Sequence, residues 1–152
     1  MGNEHRPTAA AIRGVVRLSR AVENVVARFE LSVSQFRILD RLTDGTAAGS
    51  SLADWLAVKP PSITVAVDGL VKRGLVERGE DPDDRRLVTH SLTPAGTALH
   101  GEISAALADR LDELLSEVSD RAAADSMVRA LVDWNSAFTA RLEHRAGRGD
   151  TR

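Results

Sequence analysis

The sequence predicts a mainly α fold carrying one small β-hairpin. Three observations predict it. Apolar residues recur every three or four positions along most of the 152-residue chain. The only stretches rich in β-formers are two short ones, 75–78 and 87–92, with a charged turn between them. Prolines at 60, 61 and 94 stand where they suit the first turn of a helix and could not continue a preceding one.

Each element has its own reason. Over 9–29, Ile12, Val16, Val22, Val26 and Phe29, with small Ser19 between, line one helical face. Ser32 and Gln35 form a capping box that starts a second helix over 33–42, whose core face is Phe36, Leu39 and Leu42. Small residues and glycines over 43–49 stop it as a loop. Ser51 and Asp54 are a box-like pair opening a short helix of about two turns with Leu52, Trp55 and Leu56 inward. The next helix runs from Pro60 or Pro61 to Arg73 and ends at Gly74. Its Ile63, Val67, Leu70 and Val71 point one way, and Ser62, Thr64, Val65, Asp68, Gly69 and Lys72 lie on other faces. After the hairpin, Thr93-Pro94 places a capping hydroxyl before a first-turn proline. The long helix that follows carries Leu99, Ile103, Leu107, Leu111, Leu114 and Val118 on one stripe. Ser119-Asp120 breaks and recaps the chain, and a last helix carries Met127, Leu131, Trp134, Phe138 and Leu142. Trp55 and Trp134 each sit on an apolar stripe, which reads as packing rather than ligand stacking.

Composition excludes several functions. The chain has no cysteine, so disulfides, thiolate nucleophiles and thiol redox sensing are out. Its four histidines lack metal-ligand spacing, and no nucleophile is paired with a base or set beside a phosphate loop. No catalytic residue, metal or cofactor is therefore expected. No long apolar run or basic leader is present, and the expectation is a cytoplasmic protein without membrane contact. The overall charge of −2 does not advertise a nucleic-acid partner, so such a reading rests on where individual arginines stand.

That placement is informative. A short helix, a tight turn, a second helix ending at a glycine and then a hairpin make a winged helix-turn-helix, whose second helix usually enters the major groove. Fourteen residues, 60–73, give a rod of roughly 20 Å. The hydroxyls of Ser62 and Thr64 suit close approach to bases or phosphates, and the exposed N–H groups of the first turn are expected to attract phosphate. In the hairpin turn, DPDDRR, Asp81-Pro82 is turn chemistry, and Arg85 and Arg86 are candidates for the minor groove, with Asp84 placed to hold a guanidinium. In isolation Asp83 to Arg86 would read as a solvated turn; between helix-glycine-strand and strand-Thr-Pro-helix it reads as a wing. Lys72 and Arg73 close a helix, where cations suit the dipole whether or not they also touch phosphate.

The run PSITVAVDGLVKRGLVERGEDPDDRRLVTHSLTPAG, residues 61–96, resembles the MarR family (multiple-antibiotic-resistance regulators) of bacterial winged-helix transcription factors. The specific combination is K-R-G-L-V, D-P-x-D-R-R and L-T-x-x-G in that order. The resemblance implies a homodimer built on residues 1–31 and 93–146 and a DNA-binding region over 32–92; the tail, 147–152, is expected from its own composition to be disordered. It implies binding to a palindromic double-stranded operator, a repressor role, and release by a small-molecule effector, for which the sequence offers no pocket motif. Carried over, Ser62, Thr64 and Val65 face the groove with Lys72 further along, and Asp84, Arg85 and Arg86 form the wing contact. Family members often carry a basic or polar residue where Val65 stands and a basic one at Gly69, so this helix is less cationic; Val65 could instead touch a thymine methyl. Residues 59–86 hold six Lys or Arg against six acids, which keeps open a winged-helix protein-interaction module without DNA binding.

Overall fold

The computed structural model describes residues 7–81, 84 and 87–146. The elements are α1 (Ala9–Ala27), α2 (Val33–Thr43), β1 (Ala47–Ala48), α3 (Gly49–Leu56), α4 (Pro60–Lys72), β2 (Val76–Glu80), β3 (Val88–Leu92), α5 (Pro94–Ser116) and α6 (Arg121–Ala146). The mainly α architecture with a hairpin wing is as the sequence predicts. The tail over 147–152, and Pro82, Asp83, Arg85 and Arg86 in the wing, lie outside the described residues.

α1 starts where the Thr8 hydroxyl accepts from the Ala11 N–H at 3.2 Å. It ends at Ala27, two residues short of the expected Phe29, because the chain turns there, with Glu30 in the left-handed region at φ 58°. The capping box of α2 forms in both halves: Gln35 N–H donates to Ser32 Oγ (3.2 Å), and Ser32 N–H donates to Gln35 Oε1 (3.0 Å). Its inward face is Ile38, Leu39 and Leu42. Phe36, expected in that face, is half-buried instead and stacks on the His100 ring with centroids 5.5 Å apart.

The segment read as a loop before α3 contains β1, which pairs antiparallel with β3 through Ala47 with His90 and Ala48 with Thr89. Two alanines carry no strand signature; the edge of β3 supplies the partner, so tertiary context decides. α3 accordingly begins at Gly49 rather than Ser51. Its N-cap is Ala48, which has no side-chain acceptor, so the Ser51 and Asp54 box does not form.

α4 stops in a Schellman arrangement: Gly74 sits at φ 69°, its N–H donates to Val71 O (2.9 Å), and Leu75 N–H donates to Leu70 O (3.0 Å). β2 and β3 then pair from Val76 with Leu92 to Glu80 with Val88, completing a sheet ordered β1-β3-β2. Thr93 joins the sheet to α5. Its hydroxyl donates to Gly74 O (2.7 Å) and accepts from Gly96 N–H (3.0 Å), while its N–H donates to Leu75 O (3.1 Å). Gly96 is obligatory at this crossing, because a Cβ there would lie 2.0 Å from the Leu75 carbonyl oxygen.

The core gathers Val26, Leu31, Ile38, Leu39, Leu42, Leu52, Leu56, Ile63, Val67, Leu70, Val76 and Ile103, drawn from α1 to α5 and β2. Trp55 packs half-buried against it, with the Arg37 guanidinium 5.7 Å from its ring centroid. The outer stripes behave differently. Ile12 and Val16 of α1 are 55% and 63% exposed, and Met127, Trp134 and Phe138 of α6 are about as open at 51%, 58% and 49%. Between α1, α5 and α6 an apolar groove of about 200 Å³ runs past Leu18, Val22, Leu107, Leu111 and Leu131.

Candidate nucleic-acid interface

α4 buries one side and presents the other. Ile63, Val67 and Leu70 are 4%, 2% and 0% exposed, whereas Val65 is 74% exposed at the middle of the outward face. Ser62, Thr64 and Lys72 are exposed beside it. The structure therefore brings Ser62, Thr64, Val65 and Lys72 onto the solvent side of a single rod held rigidly from behind.

Its N-terminus differs from expectation in one respect. Pro60 and Pro61 occupy the first two helical positions and have no N–H, and the Ser62 N–H is already donated to Lys59 O at 3.0 Å. The first turn therefore does not offer the row of donors that was expected to attract phosphate. The hydroxyls carry that side of the site.

Two residues that sequence reasoning left without a role lock α4 to the wing. The Arg78 guanidinium of β2 donates to the Asp68 carboxylate on α4, and both side chains remain about half exposed. Arg78 lies opposite His90 in the β2–β3 ladder. His90 is buried, with Nδ1 3.3 Å from Ala47 O. Burial lowers its pKa from the ordinary value; the Ala47 carbonyl opposes this, Arg78 adds to it and Asp68 opposes it. The sequence signal was an acid on the polar side of a predicted helix and an arginine on the adjoining strand, but only the fold shows that they meet.

Arg73 has a different task from either reading of the sequence. Its guanidinium donates to Glu30 O (2.7 Å) and Phe29 O (3.2 Å), tying the end of α4 to the turn after α1. Gly69 is explained by the α2 crossing: a Cβ there would come 2.8 Å from Gln35 Nε2, the side chain that completes the α2 capping box. In the wing, Asp84 N–H donates to Asp81 Oδ1 (3.2 Å), Leu87 N–H to Asp84 O (2.9 Å), and Asp81 N–H to Leu87 O (3.1 Å). Asp81 is thus the turn former the sequence indicated. Asp84 is exposed beside the positions of Arg85 and Arg86.

This arrangement of helix, hairpin and flanking long helices has relatives. The sequence profile of the MarR family matches residues 31–88, from the start of α2 to β3. A helix-turn-helix transcriptional regulator of Mycobacterium bovis is 36% identical over 126 residues, which is 78% of this chain and 87% of its own length. The chain belongs to the MarR family. The regulator YhbI of Bacillus subtilis is 34% identical over 101 residues, spanning 61% of this chain and 66%, just under two thirds, of YhbI. The crystal structure of wild-type MarR from E. coli in its apo form aligns with a TM-score of 0.72 at 25% identity, covering 86% of this chain and 97% of that one.

MarR-family members are DNA-binding transcription factors rather than enzymes, and this chain is a transcriptional regulator with that DNA-binding fold. Among the described residues no helix is long and apolar enough to cross a membrane, and no group of side chains has the make-up of a metal site.

Proposed function

We propose that this regulator is a cytoplasmic repressor that binds a palindromic operator as a homodimer and is released by a small-molecule effector. Residues 32–92 bind DNA, and residues 1–31 with 93–146 build the dimer. Each subunit lays α4 in a major groove, with Ser62, Thr64 and Val65 toward bases and Lys72 toward a phosphate, while Arg85 and Arg86 enter the flanking minor groove and Asp84 braces the wing. No residue is assigned to the effector.

The observation that carries this reading is the outward face of α4, polar after Pro61 except for Val65 and joined to the hairpin through Asp68 and Arg78. The dimer is supported by Ile12 and Val16 of α1 and Met127, Trp134 and Phe138 of α6, apolar side chains about half exposed or more in a single chain. Two copies would cover them.

The test is the salt dependence of duplex binding. Arg86→Ala is expected to weaken binding to every sequence and to reduce the salt slope by about one phosphate contact. Unchanged affinity and slope in that variant would contradict the wing assignment. A second reading, a protein-interaction module, draws on the absence of any basic residue in α4 before Lys72. It predicts no salt-sensitive retention on random duplex.

A further inference from the structure

We infer that Val65 is the specificity-determining residue of the recognition helix and that it reads the C5-methyl group of a thymine in each operator half-site. The inference rests on the proposed DNA-binding role and names what that helix selects.

Residues 60–71 contain no Arg, Lys, Asn, Gln or His. Those are the side chains that make the usual bidentate contacts with guanine or adenine in the major groove, so the first three turns of α4 cannot read a purine in that way. The one carboxylate there, Asp68, could accept from a cytosine amine, but it already holds Arg78. What remains on the outward face is hydroxyls, which accept several bases, and, beyond Pro61 at the helix start, the apolar side chain of Val65. Among the four major-groove base edges only thymine presents a methyl, and apolar contact is how that methyl is recognised.

Val65 is built for the task. It is 74% exposed, the most open of the large apolar side chains among the described residues, and it lies at the centre of the face opposite buried Leu70. Nothing in the fold of the single chain explains a valine there: it packs on no core, and alanine would suit the helix better. A β-branched side chain on a helix is almost confined to one χ1 rotamer, so its two methyls are held in place before DNA arrives and little freedom is lost on contact. Thr64 stands next to it with a further methyl.

The experiment uses the full-length protein and duplexes it selects from a random pool, amplified once with thymidine and once with deoxyuridine, which removes only the C5-methyl. The wild type should bind the thymidine form more tightly by about fourfold per half-site, the fold-change expected for one buried methyl. Replacing thymines singly should localise the loss to one position per half-site. Val65→Ala should reduce the difference between the two forms while keeping the wild-type salt slope and thermal stability. Equal binding of both forms by the wild type, or an undiminished uracil penalty in Val65→Ala, would overturn the inference while leaving DNA binding intact. Failure to select any duplex would instead overturn the DNA-binding reading, and this inference with it.

Discussion

Gly96 shows how a single residue can fix a junction. The carbonyl of Leu75 occupies the space a Cβ would need at 2.0 Å and also accepts the Thr93 N–H, so neither partner can yield without breaking the start of α5. Gly96→Ala is expected to destabilise the fold by about 3 kcal/mol, the upper part of the usual range for overpacking. Urea unfolding at fixed protein concentration would show it, and an unchanged midpoint would contradict the assignment. At this scale, what the sequence made legible was local hydrogen bonding. Ser32 with Gln35 and Thr93 with Gly96 are three residues apart, and their geometry follows from helix capping alone. Pairs set by topology were not legible. Asp68 meets Arg78, and Arg73 meets the carbonyls of Phe29 and Glu30, because separate elements bring them together.

Among the elements, the three-stranded sheet has a short edge, since β1 contributes only two residues to it. Its buried histidine makes it responsive to pH. Burial holds the His90 pKa below its ordinary value, so in the acid range the unfolded chain binds more protons than the folded one. Stability contributed by neutral His90 is therefore complete above about pH 6.5 and is lost progressively as pH falls below that value. Protonation also places a cation beside Arg78 in the ladder, with the Asp68 carboxylate of α4 opposing it. His90→Gln should lose less stability than the wild type between about pH 7.5 and about pH 5, measured by urea unfolding. An equal loss in both would contradict this role. The helices were legible from their period to within a few residues, with errors where packing overrides local signals. β1 has no strand propensity of its own, and α3 begins before its best cap because β1 delivers the chain there. The face of α2 also centres on Ile38, which the sequence reading missed, with Phe36 half-buried at the edge of the core.

Taken whole, the molecule divides its apolar surface unevenly. The winged region closes around a continuous core that takes in Val26 of α1, whereas Ile12 and Val16 of α1 and the stripe of α6, expected from the sequence at a dimer interface, stay open in one chain. Periodicity reports that a face is apolar and does not say which chain covers it. The proposed dimer predicts that Trp134→Glu, which places a charge on a side chain 58% exposed in the single chain, will leave the winged region folded but shift sedimentation to a single subunit and weaken operator binding. An unaltered dimer would place the interface elsewhere. The overall charge of −2 likewise makes non-specific attraction to DNA weak, so a regulator of this kind depends on placed contacts and on two half-sites acting together. The most direct test of that account is selection of bound sequences from a random duplex pool by the full-length protein. It predicts an enriched palindrome with half-sites about ten base pairs apart, bound by two subunits. Recovery of no common sequence by a well-folded dimer would contradict it.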